Sequence, residues 1–368
     1  MKTHSLFPIT LAAVFISTGA SAQEKADAIT FSGFATLGAI KTDSNDGEFV
    51  TPGQVSGATR SPSWGVDSKL GVQATGVAND MVSGTVQIVS KHNGEGNYRP
   101  GVEWVFARFS ATPALAFRAG RMGLPAFAVS DFRDVNFANL WMRPPLDVYG
   151  VLPVSHFDGA DAIYTLPLGG STVTTQVYGG RATATYDEAK VTLGSLIGIN
   201  STVEFDNGLT LRLGHFKSDM GIEGAGQVTA HDRRTRFSGV GLVYDKGNVV
   251  ANAEYVFGKR HADTVQVSPT GWYTSLGYRL GKFTPYAVTS RYKAALDMAL
   301  PDGSKLGLLS GQRTNSLGVR WDAWRNTDVK FQFDRVRVGS FGGQFADPTP
   351  ALVGKSVNVF GVSADVVF

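Results

Sequence analysis

The chain has no cysteine. Disulfides, thiolate metal sites, thiol nucleophiles and iron–sulfur clusters are therefore excluded. It also lacks repeated runs of about 18 or more apolar residues, which excludes a bundle of membrane-spanning helices. Little net charge is present, +3 over 368 residues, and that balance argues against a nucleic-acid partner. Disorder is excluded from the other side, because 43% of the residues are hydrophobic and 11% aromatic. No H-E-x-x-H, phosphate-cradling glycine loop or dinucleotide fingerprint occurs, so no metal, cofactor or catalytic residue is assigned. Ser290 and Lys293 match S-x-x-K by letter, but they fall on an expected strand rather than a helix start.

What is present begins with an export signal. Lys2 precedes an apolar stretch from Leu6 to Ile16, and Ala20-Ser21-Ala22 forms a small-x-small cleavage site before Gln23. Residues 1–22 are read as a signal peptide and 23–368 as the exported domain. That domain alternates. Phe360, Val362, Ala364, Val366 and Phe368 share one parity, with Gly361, Ser363 and Asp365 between them. Ile29, Phe31, Ala35, Leu37 and Ala39 do the same at the other end. Period two places each set on one face of a strand. About sixteen such segments run from 28–41 to 355–368.

The connections alternate too. Asn79-Asp80, Thr112-Pro113, Gly169-Gly170, Asp206-Asn207-Gly208, Asp245-Lys246-Gly247 and Gly281-Lys282 are tight-turn sequences. Between them lie long polar connections at 42–63, 219–232, 294–310 and 340–354. Short turns at one end and long loops at the other describe an up-and-down membrane barrel. A sixteen-stranded ring is too wide for its own side chains to fill. The expectation is thus a water-filled interior and an apolar rim facing lipid. The sheet must close, because lipid satisfies no backbone group. Register should then place Lys69, Arg279 and Glu254 inside. Trp64, Trp104, Tyr164, Tyr178, Tyr244, Tyr255 and Trp321 suit interfacial girdles.

One connection differs. Residues 123–157 lack period two and carry Phe127, Phe132, Phe137, Leu140, Trp141, Met142 and Tyr149. So apolar a loop needs a surface to pack on, and the inside of the barrel offers one, where it would narrow the channel.

In this layout the chain resembles the Gram-negative general porins, the trimeric sixteen-stranded outer-membrane channels. The resemblance rests on the signal, the opening FSGFATLGAI at 31–40, AGRMGLP at 119–125, the long loop after the fifth strand, and the closing strand ending in Phe368. It covers the whole exported domain. Where the best-known enterobacterial members have Pro-Glu-Phe-Gly-Gly in that loop, this chain has Ser130-Asp131-Phe132-Arg133-Asp134. The resemblance implies an all-β, sixteen-stranded antiparallel transmembrane barrel with an inward-folded third loop, acting as a passive diffusion channel for ions and small hydrophilic solutes.

It further implies a constriction in which loop acids face a basic wall. Here the candidates are Asp131, Arg133, Asp134 and Asp147 on the loop, with Lys69, Arg108, Arg118 and Arg121 on the wall. Implied partners are outer-membrane lipid and lipopolysaccharide and two further copies in a homotrimer, with a second loop at 91–100 offering Glu95 and Arg99 as latch charges. Unit charges ~10 Å apart interact by about 0.4 kcal/mol in water and about 1.7 at an effective dielectric of 20. Such a field biases ions without holding them. Three other functions remain open: a substrate-selective anion or sugar channel, a barrel hydrolase for which His215 has no marked serine, and a plugged structural barrel.

Overall fold

A computed structural model describes residues 29–152, 154–186, 189–224, 227–262, 265–299, 305–340 and 343–368. Segment 1–22, read as the export signal, lies outside them.

The ring strands are β1 (Ile29–Thr42), β3 (Lys69–Val77), β4 (Val82–Lys91), β5 (Gly101–Ser110), β6 (Leu115–Gly123), β7 (His156–Pro167), β8 (Ser171–Tyr186) and β9 (Ala189–Phe205). They continue as β10 (Leu209–Gly224), β11 (Gln227–Lys246), β12 (Val249–Ala262), β13 (Val265–Tyr278), β14 (Phe283–Ala299), β15 (Lys305–Trp324), β16 (Thr327–Val338) and β18 (Ser356–Val367). Each pairs antiparallel with its chain neighbour, and β18 returns to β1, so sixteen strands close one barrel. The seam registers Leu37 with Ala364 and Ala35 with Val366. It is locked at its end by reciprocal bonds between Gly33 and Phe368, at 2.8 and 3.0 Å. The two short strands β2 (Glu48–Phe49) and β17 (Phe345–Ala346) pair with each other over the long-loop end.

The alternation sorts as the sequence implies. Leu37, Leu213, Leu276 and Leu317 are about 60% exposed on the outer face. Their alternate neighbours, such as Thr36, Arg212, Ser275 and Ser316, are buried inside. Water gives so much exposed leucine no stabilisation, whereas a lipid surround returns roughly 1.5–3 kcal/mol per side chain.

Two expected connections are corrected. Segments 219–232 and 294–310 are not loops for most of their length, because β10 runs to Gly224, β11 starts at Gln227, β14 ends at Ala299 and β15 starts at Lys305. Beyond the apolar band the faces need no hydrophobic contrast, so the pattern fades while backbone pairing continues. Two girdle expectations are corrected as well. Tyr178 points inward and packs on Phe157 at 5.4 Å between ring centroids. Trp104 also points inward, its indole facing Gly123. Tyr164 and Tyr255 do stand on the outer face.

Candidate pore interior

The chain between β6 and β7, residues 124–155, contains two single-turn 3-10 segments and the one-turn helix α1 (Leu146–Tyr149). Its backbone polar groups are met by the wall. Glu254 on β12 accepts from the Ala128 amide at 2.8 Å and from the Tyr149 hydroxyl at 3.1 Å. Arg212 on β10 donates to the carbonyls of Pro125 and Ala126. Lys330 on β16 donates to the Asn136 carbonyl at 2.7 Å, and Arg320 on β15 to that of Phe137 at 2.6 Å. At the far side Asp134 accepts from Lys91 on β4 at 2.8 Å and Lys69 on β3 at 3.5 Å. One segment reaches wall side chains from β3 round to β16 only by lying within the ring.

Its apolar side chains settle the other half of its surface. Phe127, Trp141, Tyr149 and Leu152 form one buried cluster with Leu193, Phe216, Phe237 and Tyr273 of the wall. Phe127 meets Phe237 edge-on at 5.6 Å, and Trp141 meets Tyr273 at 5.5 Å. This corrects the expectation that water fills the whole interior. On β8 to β14 the inward face is partly apolar, and the segment covers it. Period two separates two faces of a strand but does not say which face a returning loop will dry.

The segment also contributes a buried cation of its own to the wall. Arg143 is 5% exposed, bonds Asp67 through two nitrogens at 2.7 and 3.0 Å, and bonds Asp334 on β16 at 2.9 Å. It also stacks over Phe49 at 5.2 Å. Two carboxylates are thus buried around one guanidinium, an arrangement that is costly to break from either side.

Charges that keep contact with water line the β3 to β7 side inside the ring. Lys69, Lys91, Glu103 and Asp134 are 12–33% exposed, and Glu103 bridges Lys91 at 3.2 Å. Arg133, Asp131 and Asp134 line a hollow with Gln87, Glu103 and Trp104. Arg118 binds Asp161 on β7 at 2.5 Å, and Arg108 stands opposite it in register. Burial would raise the Asp134 carboxyl, but Lys91, Lys69 and Arg133 outweigh it and hold the group below the usual carboxylate range. Asp131 goes the other way: enclosure raises its carboxyl, with Arg118 and Arg212 opposing.

Of the eight candidate residues, Lys69, Arg108, Arg118, Asp131, Arg133 and Asp134 are brought together here. Two expectations are corrected. Asp147 is fully buried and, among the described residues, pairs with no cation; its carboxylate accepts from Ser290 at 2.5 Å and Gln312 at 2.9 Å. Burial raises its carboxyl, and those neutral donors only moderate the shift. Arg121 points outward, sharing a face with exposed Val105, and pairs with Asp158 at 2.7 Å. It has the parity opposite to Arg118, as the sequence indicates, and the strand continues past it. The residues that sequence reasoning missed are Asp67, Lys91, Glu103 and Asp161. Parity on β7 carried the signal for Asp161, which alternates with outward Ala160 and Ala162. Asp67 shares the polar parity of Lys69 in the alternation of 64–76, although the strand itself begins at Lys69.

On the outer wall the structure supplies a partner for His215: its Nδ1 lies 2.8 Å from Ser238 Oγ. Among the described residues no carboxylate or amide bonds the other ring nitrogen, so the orienting group of a hydrolytic triad is not assembled. Among the described residues no group of metal-ligating side chains occurs either. Glu95 and Arg99 remain exposed in their loop.

No protein-family model matches the sequence, and no curated protein matches it. Solved structures do match in shape. In-vitro folded OmpT, an outer membrane protein of Vibrio cholerae, aligns at TM-score 0.59 and 14% identity over 94% of this chain and 99% of its own. An anion-selective porin from Comamonas acidovorans aligns at 0.58 and 12% over 92% and 99%. Salmonella typhi OmpF, solved with daunomycin, aligns at 0.59 and 13% over 92% and 97%. At such identity the likeness is one of fold: the chain has the closed sixteen-stranded barrel of the porins.

Proposed function

We propose that the protein is an outer-membrane diffusion channel through which ions and small hydrophilic solutes pass along the β3 to β7 side of the ring. The observation that carries this reading is Asp134: a loop carboxylate held between two wall lysines, with all three still in contact with water. Clustered charges in contact with water on one side of the ring set up a local field along the passage. Such a field orients dipolar solutes and does not trap them. Lys69, Lys91, Arg108, Arg118 and Arg133 form its positive side, and Asp131 and Asp134 its negative side. Burial of Asp147 gives that residue a role in anchoring the segment. The porin fold, the outward leucines and the export signal read at 1–22 support placement in the outer membrane. A homotrimer follows from the same reading.

The test is single-channel recording of the purified protein in planar bilayers, with reversal potentials in a salt gradient. Discrete steps that scale with salt are expected. Their absence would favour a plugged barrel. The excess of cations among the wet groups favours a second, narrower reading, an anion-preferring channel, which a conductance saturating with one anion would identify.

A further inference from the structure

The first and last long connections meet over the mouth of the ring. Residues 43–68 follow β1 and residues 343–355 precede β18, so both flank the closing seam. β2 and β17 pair Phe49 with Phe345 and Glu48 with Ala346. The two phenyl rings meet edge-on at 5.8 Å. Phe49 exchanges backbone bonds with Ala58 at 2.9 and 3.0 Å, and the Thr349 amide donates to the Asp46 carbonyl at 2.7 Å. Gly47 permits this approach, since a side chain there would strike Leu352. Phe49, Phe345 and Leu352 form a buried apolar cluster with Ile40, Val338 and Val359 of the wall.

This cap also reaches the segment 124–155. The Arg143 guanidinium lies 5.2 Å over the Phe49 ring. The same connection supplies Asp67, so residues 43–68 hold Arg143 from two sides. The Gln344 amide donates to Gln312 Oε1 at 3.0 Å, and Gln312 Nε2 donates to Asp147 at 2.9 Å. The Gln344 side chain lies so close to Gly150, at the end of α1, that any side chain there would strike it. Leu146, at the start of α1, packs on the apolar cluster of the cap.

Two residue pairs are too short a sheet to hold by themselves. The apolar cluster keeps the cap paired, so its parting is a local event separate from unfolding of the barrel. Each parting takes the Phe49 ring off Arg143 and the Gln344 amide off Gln312. Arg143 keeps Asp67 and Asp334 through it, so the segment is loosened around α1 rather than released. Coupling of this kind needs an element with two discrete arrangements, and the cap, paired or parted, is that element. We infer that Phe49 and Gln344 are positioning residues for the constriction: from the long-loop side they hold Arg143 and α1, and the state of the cap sets how still the passage is. The inference rests on the channel reading proposed above.

The test uses the full exported chain in planar bilayers, with open-level current fluctuations as the readout. Glu48 and Ala346 are registered partners; such residues lie about 4.5–5.5 Å apart at Cα, which a disulfide spans. The chain has no cysteine of its own to interfere. Phe345→Ala removes the ring behind Phe49. A rise of roughly tenfold or more in fluctuation rate is expected, because losing a buried ring favours the parted cap by more than one tenfold step. In Glu48→Cys/Phe345→Ala/Ala346→Cys the rise is expected in the reduced protein and is lost on oxidation. A ring needed only for folding would not be rescued by a bond made after folding. Phe49→Leu keeps the cluster apolar but takes the ring from Arg143; it guards against failure of Phe345→Ala to fold, and a smaller rise is expected. Lys190→Gln, which breaks an exposed pair with Glu223 across the ring, serves as the control and should fluctuate as wild type does. Fluctuations unchanged in folded Phe345→Ala and Phe49→Leu, or a rise that oxidation leaves in place, overturn the inference. A barrel that conducts with the same noise whether the cap is locked or parted sinks this inference alone. A folded barrel that forms no channel sinks the proposed function.

Discussion

Arg143 and Arg313 belong to opposite faces of one wall. Inside, Arg143 is surrounded by Asp67, Asp334 and the Phe49 ring. Outside, Arg313 has two arginines beside it and no counter-ion among the described residues. The inner face satisfies its charges within the chain, through wall pairs such as Arg118 with Asp161 and through the returning segment. The outer face leaves its charges for the surroundings. A buried ion without a partner costs several kcal/mol, so the interior had to solve the problem itself. A rim position in contact with water and headgroups did not.

The comparison can be broken most sharply at Arg143. Arg143→Met leaves two buried carboxylates without their cation, and a loss of about 3–5 kcal/mol in urea unfolding is expected. Arg313→Gln, the same residue type on the other face, should stay within about 0.5 kcal/mol of wild type. Equal losses would erase the distinction. Asp134→Asn comes next, at about 1–3 kcal/mol, since it removes charge-assisted bonds from Lys91 and Lys69. Its carboxyl lies below the ordinary value near 4, so its contribution is present above that pH and is lost as pH falls through the depressed value. The gap between Asp134→Asn and wild type should therefore close as unfolding is measured at progressively more acidic pH. Neutralising Asp131 and Asp134 together should lower cation preference in reversal-potential measurements; an unchanged potential would remove both from the conducting path. The smallest effect belongs to Arg121→Gln, about 0–1 kcal/mol with no change in reversal potential, because that exposed pair faces outward.

Much of this architecture was legible in the residues. Alternation on β1 and β18, the six tight turns and the aromatic loop at 123–157 located the closing seam and the segment that returns through the ring. Lys330, Gln332 and Asp334 alternate with Phe331 and Phe333 in the sequence and are buried on the inward face of β16. Two things were not legible. Strand length beyond the apolar band was hidden, since pairing there needs no particular side chain. The dry half of the interior was hidden as well, because Phe216 and Phe237 on inward positions look the same whether a loop or water faces them. Asp147 illustrates the limit within the site: composition groups it with Asp134, and only packing separates an anchor buried against Ser290 and Gln312 from a carboxylate held by lysines in water.

On the proposed function, residues 124–155 lie in the conducting path, and Arg143 helps to pin them there. Single-channel conductance of folded Arg143→Met beside wild type, in the same bilayer and salt, tests it most directly. A larger conductance or added open-level noise in the variant is expected, as the unpinned segment moves off the β3 to β7 passage. An identical conductance and noise level in a folded variant would contradict it.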